Sequence, residues 1–261
     1  MSRPSFTART VAVARGKIAA ERRTVPTGDA DAEARMYAEL GGGRYEVTGQ
    51  AWVAHMRPRT LFIDDAVLDA IARGVTQIVI VGAGYDGRAL RFATPGVRFF
   101  EVDRAETQAD KRERVARAGG RGAEYVVFDV VDGGLPALLA PAGHDASLPS
   151  LFICEGLFPY LTREEIEALL DDLLGLCAPE GSRVALTANE PSAEGPTLAA
   201  RLWGESVRRT VALLGEPWKS RFQHGETAQM LARRGWRIVR QSADGDRGYL
   251  SIKYEIAPAA T

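Results

Sequence analysis

The chain has 261 residues, 46% of them hydrophobic and 26% charged, with a formal net charge of -1. Those proportions exclude disordered, collagen-like and coiled-coil chains, and the near-neutral balance argues against a dedicated nucleic-acid binder. Two cysteines (Cys154, Cys177), three histidines (His55, His144, His224) and no apolar run near the roughly 20 residues of a membrane span leave no disulfide framework, metal site or membrane segment to expect, so the chain reads as a cytoplasmic globular protein.

The Arg-rich, acid-poor N-terminus has the superficial look of a transit peptide, but Val11, Ala14, Ile18 and Ala19 fall on one helical face, the pattern of an amphipathic helix packed on a domain. Residues 1–60 read as helices broken at Pro26-Thr27-Gly28 and at Gly41-Gly42-Gly43. A helix from Thr60 to Arg73 follows, with Ile63, Val67, Leu68 and Ile71 as its apolar stripe. Strands and helices then alternate. Gln77–Val81 is the near-continuous β-branched run of a strand covered on both faces. Val97–Val102, Glu124–Phe128, Leu151–Cys154 and Arg183–Thr187 are further strands. Thr162 and Glu165 form a capping box ahead of a helix whose stripe is Ile166, Leu169, Leu170, Leu173 and Leu174. Residues 190–222 interrupt the alternation with helical segments and three prolines. A helix at 228–234 and strands at 236–241 and 249–256 close the chain. The last connection is too short for a crossover helix, so the final two strands run antiparallel. The expected fold is α/β: a Rossmann-like, doubly wound seven-stranded sheet with a reversed last strand, N-terminal helices and a helical cap, all in one domain over 1–261.

The strongest local signal is Gly82-Ala83-Gly84-Tyr85-Asp86-Gly87, a G-x-G-x-x-G motif between a strand and a helical stretch beginning near Arg88. Glycines there let backbone approach a ligand, and a following helix N-terminus presents free amides. NAD and S-adenosylmethionine sites both use this motif. Asp103, at the end of the second strand, can accept both hydroxyls of an adenosine ribose. Asp129 and Glu155 follow the third and fourth strands, where ligands of doubly wound sheets collect. An acidic rim repels a pyrophosphate and favours a sulfonium cation.

With these residues in place, the chain resembles the leucine carboxyl methyltransferase-like group of class I S-adenosylmethionine-dependent methyltransferases, which includes polyketide carboxyl O-methyltransferases. The resemblance runs through Thr7–Arg15, Arg57–Asp65, Gln77–Phe92, Phe100–Asp103 with the Lys111 region, and Glu155–Leu161. It implies an S-adenosylmethionine cofactor. Arg59 would pair with the carboxylate of the cofactor's methionine part, beside Gly82, Ala83 and Gly84. Asp103 would bind the ribose, Asp129 and the adjoining Val130 would face the adenine, and Glu155 would approach the methionine ammonium. The chain departs from the family at Gly87, where Thr is common, and at Ala89-Leu90, where an aromatic is usual; both should loosen the loop.

A carboxylate acceptor is ionised at neutral pH and needs no general base, whereas a phenol would benefit from one. His224 and His55 are the histidine candidates, and Tyr160 and Tyr85 could orient an acceptor through their hydroxyls. In 190–222, the expected substrate cap, Leu198, Leu202, Trp203, Val207, Val211, Leu213, Leu214, Trp218 and Phe222 could line an apolar pocket, and Arg201, Arg208, Arg209, Lys219 and Arg221 could hold an acidic substrate. The same residues also fit core packing and a solvated helix face. The reading is an O-methyltransferase of a small natural-product carboxylate or hydroxyl, monomer or homodimer. Its alternatives are an NAD(P)-dependent oxidoreductase, a protein-carboxyl methyltransferase and a catalytically silent cofactor-binding regulator.

Overall fold

A computed structural model describes residues 6–18, 24–38, 50–120, 122–178, 180–213, 215–246 and 249–259. Its seven strands belong to one mixed sheet, and the chain divides into two compact units, residues 1–129 and 130–261.

The first unit carries helices α1 (Phe6–Lys17), α2 (Ala32–Ala38) and α3 (Gln50–Ala72), then β1 (Gln77–Val81), α4 (Arg88–Arg91), β2 (Arg98–Asp103), α5 (Ala105–Arg117) and β3 (Glu124–Val127). Its strands are all parallel, with β2 between β1 and β3. All of β1 is buried, as its unbroken β-branched run predicts. Of the expected apolar face, Ala14 on α1 and Ile18 just beyond its end are buried and Val11 is half-buried, while Ala19 and the Gly41–Gly43 break lie outside the described residues. Helix α3 begins ten residues before the expected Thr60 and runs through Pro58. Proline removes one hydrogen bond and crowds the carbonyl of Ala54, a defect that packing of α3 against α1 overrides.

The second unit carries α6 (Leu135–Leu139), β4 (Ser150–Cys154), α7 (Arg163–Leu176), β5 (Arg183–Pro191), α8 (Leu198–Leu213), α9 (Glu226–Arg233), β6 (Trp236–Asp246) and β7 (Tyr249–Pro258). β4 and β5 are parallel, and β7 runs antiparallel to both β5 and β6, the expected reversal. The capping box of α7 forms as read: Glu165 N–H donates to Thr162 Oγ1 at 3.2 Å and Thr162 N–H to Glu165 Oε2 at 2.7 Å. At the other end of the unit, the Glu190 carboxylate accepts from Gly225 and Thr227 N–H, at 2.6 and 2.9 Å, and so caps α9 from the end of β5.

Candidate functional site

The glycine loop leaves β1 at Gly82 and turns twice through the left-handed region, at Gly82 (φ 67°) and Gly84 (φ 50°). A side chain is disfavoured at both positions by conformation alone. At Gly84 a Cβ would also stand 3.0 Å from the Ala8 Cβ of α1, so glycine there lets the N-terminal helix lie directly on the loop. Tyr85 is buried beneath α1 and α2 with Ala12, Met36, Leu90 and Val115. Its hydroxyl donates to the Asp110 carboxylate, and burial, reinforced by Asp110, pushes the phenol up to about 12. Tyr85 is therefore a strut of the loop, not a hydroxyl available to orient an acceptor.

The loop's amides are largely taken up by the chain itself. Gly82 and Ala83 N–H both donate to Val102 O, at 2.8 and 3.1 Å. Gly84 N–H donates to Asp103 Oδ2 at 2.6 Å, Gly87 N–H to Glu33 Oε1 at 3.1 Å, and Arg88 N–H to Asp86 Oδ1 at 2.8 Å. The free helix-terminal amides expected at this point are thus capped by two internal carboxylates, and α4 is only four residues long. Gly87 does not loosen the loop either. A Cβ there would stand 2.2 Å from Glu33 Cγ, so the space that a Thr would fill holds the Glu33 side chain.

Asp103 sits at the carboxyl end of β2, partly exposed. Its second oxygen accepts from Arg104 N–H at 2.7 Å. Burial pushes its carboxyl up, and the backbone donors of Gly84 and Arg104 pull it back. Each oxygen keeps a lone pair for a ligand hydroxyl. Phe128 N–H donates to Asp103 O at 3.0 Å, which brings the chain at Asp129 to the same end of β2 and β3. Arg59, half-buried, lies on α3 within the same unit.

Glu155 and Tyr160 belong to the second unit, as do Val130 and His224. Glu155 follows β4 and is half-buried; the adjoining Gly156 N–H donates to Thr187 Oγ1 of β5 at 2.8 Å, which fixes the turn. Tyr160 closes a 3-10 turn, Phe158–Tyr160. That turn is stitched to the cap segment by Lys219 N–H to Pro159 O at 2.7 Å and Ser220 Oγ to Phe158 O at 2.8 Å. Val130 starts a short 3-10 turn. His224 is exposed, with Nδ1 3.2 Å from Pro191 O.

The cap segment fits neither reading throughout: Phe222 is buried against Phe158, and Arg209 and Arg221 are largely exposed, as core packing and a solvated face have it. Arg208, Arg209 and Arg221 converge on the single carboxylate of Glu205, and Lys219 pairs with Glu165. These cations are held by the chain's own acids. Leu198, Leu202 and Leu213 are 74%, 66% and 89% exposed, so they neither pack in a core nor enclose a pocket. The side chains of Trp203 and Val207, and residue Leu214, lie outside the described residues.

Sequence reading missed the ion cluster under the glycine loop. Arg15, Glu33, Asp64, Asp86, Arg88, Arg91, Glu101 and Lys111 are all buried, and they are the buried charged side chains described in this unit. They form one continuous chain of contacts: Glu33–Arg91 at 3.2 Å, Arg91–Asp64 at 2.7 Å, Arg88–Asp64 at 2.8 Å, then Arg88–Asp86 and Arg15–Asp86. Lys111 joins through Asp86 O at 2.6 Å and through the Glu101 carboxylate. Four cations face four carboxylates, which is what lets so many charges be buried together.

A family model for leucine carboxyl methyltransferase matches residues 8–174. A relative from Parafrankia sp. (strain EAN1pec), named an S-adenosyl-L-methionine-dependent methyltransferase, is 37% identical over 204 residues, 75% of this chain. Another of that name from Streptomyces coelicolor is 35% identical over 205 residues, covering 74% of this chain and 72% of the relative. The chain spans only 62% of the length of the Parafrankia relative. Among solved structures, a DUF574-family protein from Streptomyces avermitilis superposes with a TM-score of 0.60 at 18% identity, covering 98% of both chains. Magnesium protoporphyrin IX methyltransferase from Synechocystis, with bound S-adenosylhomocysteine, gives 0.53 at 18% identity over 88% of this chain and 93% of that one. At such identities these structures bear on the fold alone, which they share. With 8–174 matched, the chain belongs to the leucine carboxyl methyltransferase family.

Proposed function

We propose that the chain is an S-adenosylmethionine-dependent O-methyltransferase, working as one catalytic domain on a carboxylate, or a hydroxyl, of a small natural-product-like acceptor. The observation that carries this reading is the occupancy of the loop amides by Val102 O, Asp103, Glu33 and Asp86. A dinucleotide needs those donors for its pyrophosphate. What the loop offers instead is close backbone and a carboxylate, which suits a nucleoside without phosphate and with a positive charge. Family membership and the names of the relatives point the same way.

When bound, S-adenosylmethionine supplies a methyl group already activated on a sulfonium. By the family resemblance, Asp103 would accept the ribose hydroxyls, Arg59 would pair with the amino-acid carboxylate, Glu155 would take the ammonium, and Asp129 with Val130 would border the adenine. A carboxylate acceptor is already ionised at neutral pH, so none of these residues would have to move a proton. The protein's work is then alignment and exclusion of water. A hydroxyl acceptor calls for a base or an orienting group, with His224 and Tyr160 the candidates.

Calorimetric titration with S-adenosylhomocysteine, NAD and NADP tests the reading. We expect micromolar binding of the homocysteine nucleoside and none of the nicotinamide nucleotides. Asp103→Asn should weaken that binding about tenfold or more, the loss of charge-assisted hydrogen bonds. Binding of NAD or NADP in its place overturns the assignment.

A further inference from the structure

We propose that Asp64, acting through Arg88, is a positioning residue. It fixes Arg59 relative to the Gly82–Gly84 loop and so sets the affinity for the amino-acid end of the cofactor. The inference rests on the reading of Arg59 and the glycine loop as the S-adenosylmethionine site.

Arg59 lies where α3 lacks one ladder bond. Pro58 precedes it within α3 and cannot donate to the carbonyl of Ala54, so the hydrogen-bond ladder is broken just before Arg59. Further ties reach this turn from its C-terminal side. Thr60, the next residue, gives its carbonyl to Arg88 Nη2 at 3.3 Å. Asp64, one turn further on the same face, accepts from Arg88 Nε at 2.8 Å and Arg91 Nη2 at 2.7 Å on a single oxygen, Oδ1. The same Arg88 guanidinium grips the loop: Nη1 donates to Asp86 Oδ2 and its backbone N–H to Asp86 Oδ1, and Asp86 N–H in turn donates to Ala83 O at 2.8 Å. A path of buried hydrogen bonds therefore runs from the turn holding Arg59 to the loop that would meet the same ligand.

The chemistry of the link suits registration more than stabilisation. Guanidinium is a planar fork whose donors satisfy several acceptors only at set angles, which a lysine or an apolar contact cannot reproduce. Buried ion pairs contribute little stability beyond that of apolar packing of the same volume. Their geometric strictness is the property left to exploit, and here it spans two elements that would grip one ligand.

The test compares two ligands on the full chain. S-Adenosylhomocysteine carries the amino-acid end; 5′-methylthioadenosine keeps the adenosine and the sulfur but lacks it. Asp64→Asn preserves shape and removes charge. We expect its S-adenosylhomocysteine Kd to rise about tenfold or more while methylthioadenosine stays within about twofold of wild type. Arg59→Ala should show the same selectivity, and the double variant should bind no more weakly than Arg59→Ala alone. Equal weakening of both ligands, or additive losses in the double variant, makes Asp64 merely structural and overturns the proposal. Should circular dichroism show that Asp64→Asn does not fold, Arg88→Lys carries the same expectations. Wild-type protein that binds neither ligand removes the cofactor reading itself, a failure distinct from unselective variants.

Discussion

Gly87 shows how one atom's absence decides a local structure. Its φ of -102° is open to any residue, so backbone freedom is not the reason for glycine. The reason is Glu33, whose side chain occupies the Cβ position, takes Gly87 N–H and reaches Arg91. Gly87→Thr should therefore destabilise the chain by about 1–3 kcal/mol, the usual cost of overpacking a filled interior, read as a lower urea midpoint at unchanged m-value. Stability equal to wild type would mean that Glu33 swings away freely and that its bonds to the loop contribute nothing. The resemblance to the family marked position 87 as unusual. It could not say that the compensating residue lies 54 positions earlier, because nothing in the local sequence points to Glu33.

At the scale of elements, local chemistry was legible where it was self-contained. The α7 capping box depends on residues three apart and forms as read. Thr162→Ala should cost about 1 kcal/mol, measurable as a lowered melting temperature, with little effect on cofactor affinity since Thr162 is not among the residues proposed to hold the cofactor. A loss below a few tenths of a kcal/mol would show the Glu165 carboxylate holding the cap alone. Strands β1 to β4 were found to within a residue or two because their apolar runs are bounded by turn residues. Elements set by distant contacts were not. Helix α3 crosses Pro58 because tertiary packing outweighs one missing hydrogen bond, and β6 and β7 extend to within two residues of each other at the hairpin, a pairing that a polar Ser-Ala-Asp-Gly-Asp sequence does not advertise.

Across the chain, the candidate ligand residues were visible because parallel α/β sheets place their sites at strand ends, so Asp103, Asp129 and Glu155 could be picked by position. The buried ion cluster was invisible for the converse reason. Its eight residues come from helices, loop and strand spread between Arg15 and Lys111, and charged side chains are ordinarily expected at the surface. The cluster also ties stability to pH. Burial pushes the Glu101 carboxyl from an ordinary 4.5 up to about 7, against the pull of Lys111. A carboxyl whose folded pKa exceeds its unfolded one adds stability that is fully present below about 4.5 and is lost as pH rises through about 7. Glu101→Gln does not titrate, and its amide oxygen can still accept from Lys111. The stability difference between the two proteins should therefore move in favour of Glu101→Gln between pH 5 and pH 8, by no more than about 3 kcal/mol. Urea unfolding of both proteins at the two pH values isolates this group, since every other titration is common to both. A difference that stays flat would show Glu101 ionised throughout, its attraction to Lys111 offsetting the whole cost of burial; a difference moving the other way would mean that the ion pair, and not burial, dominates the cluster.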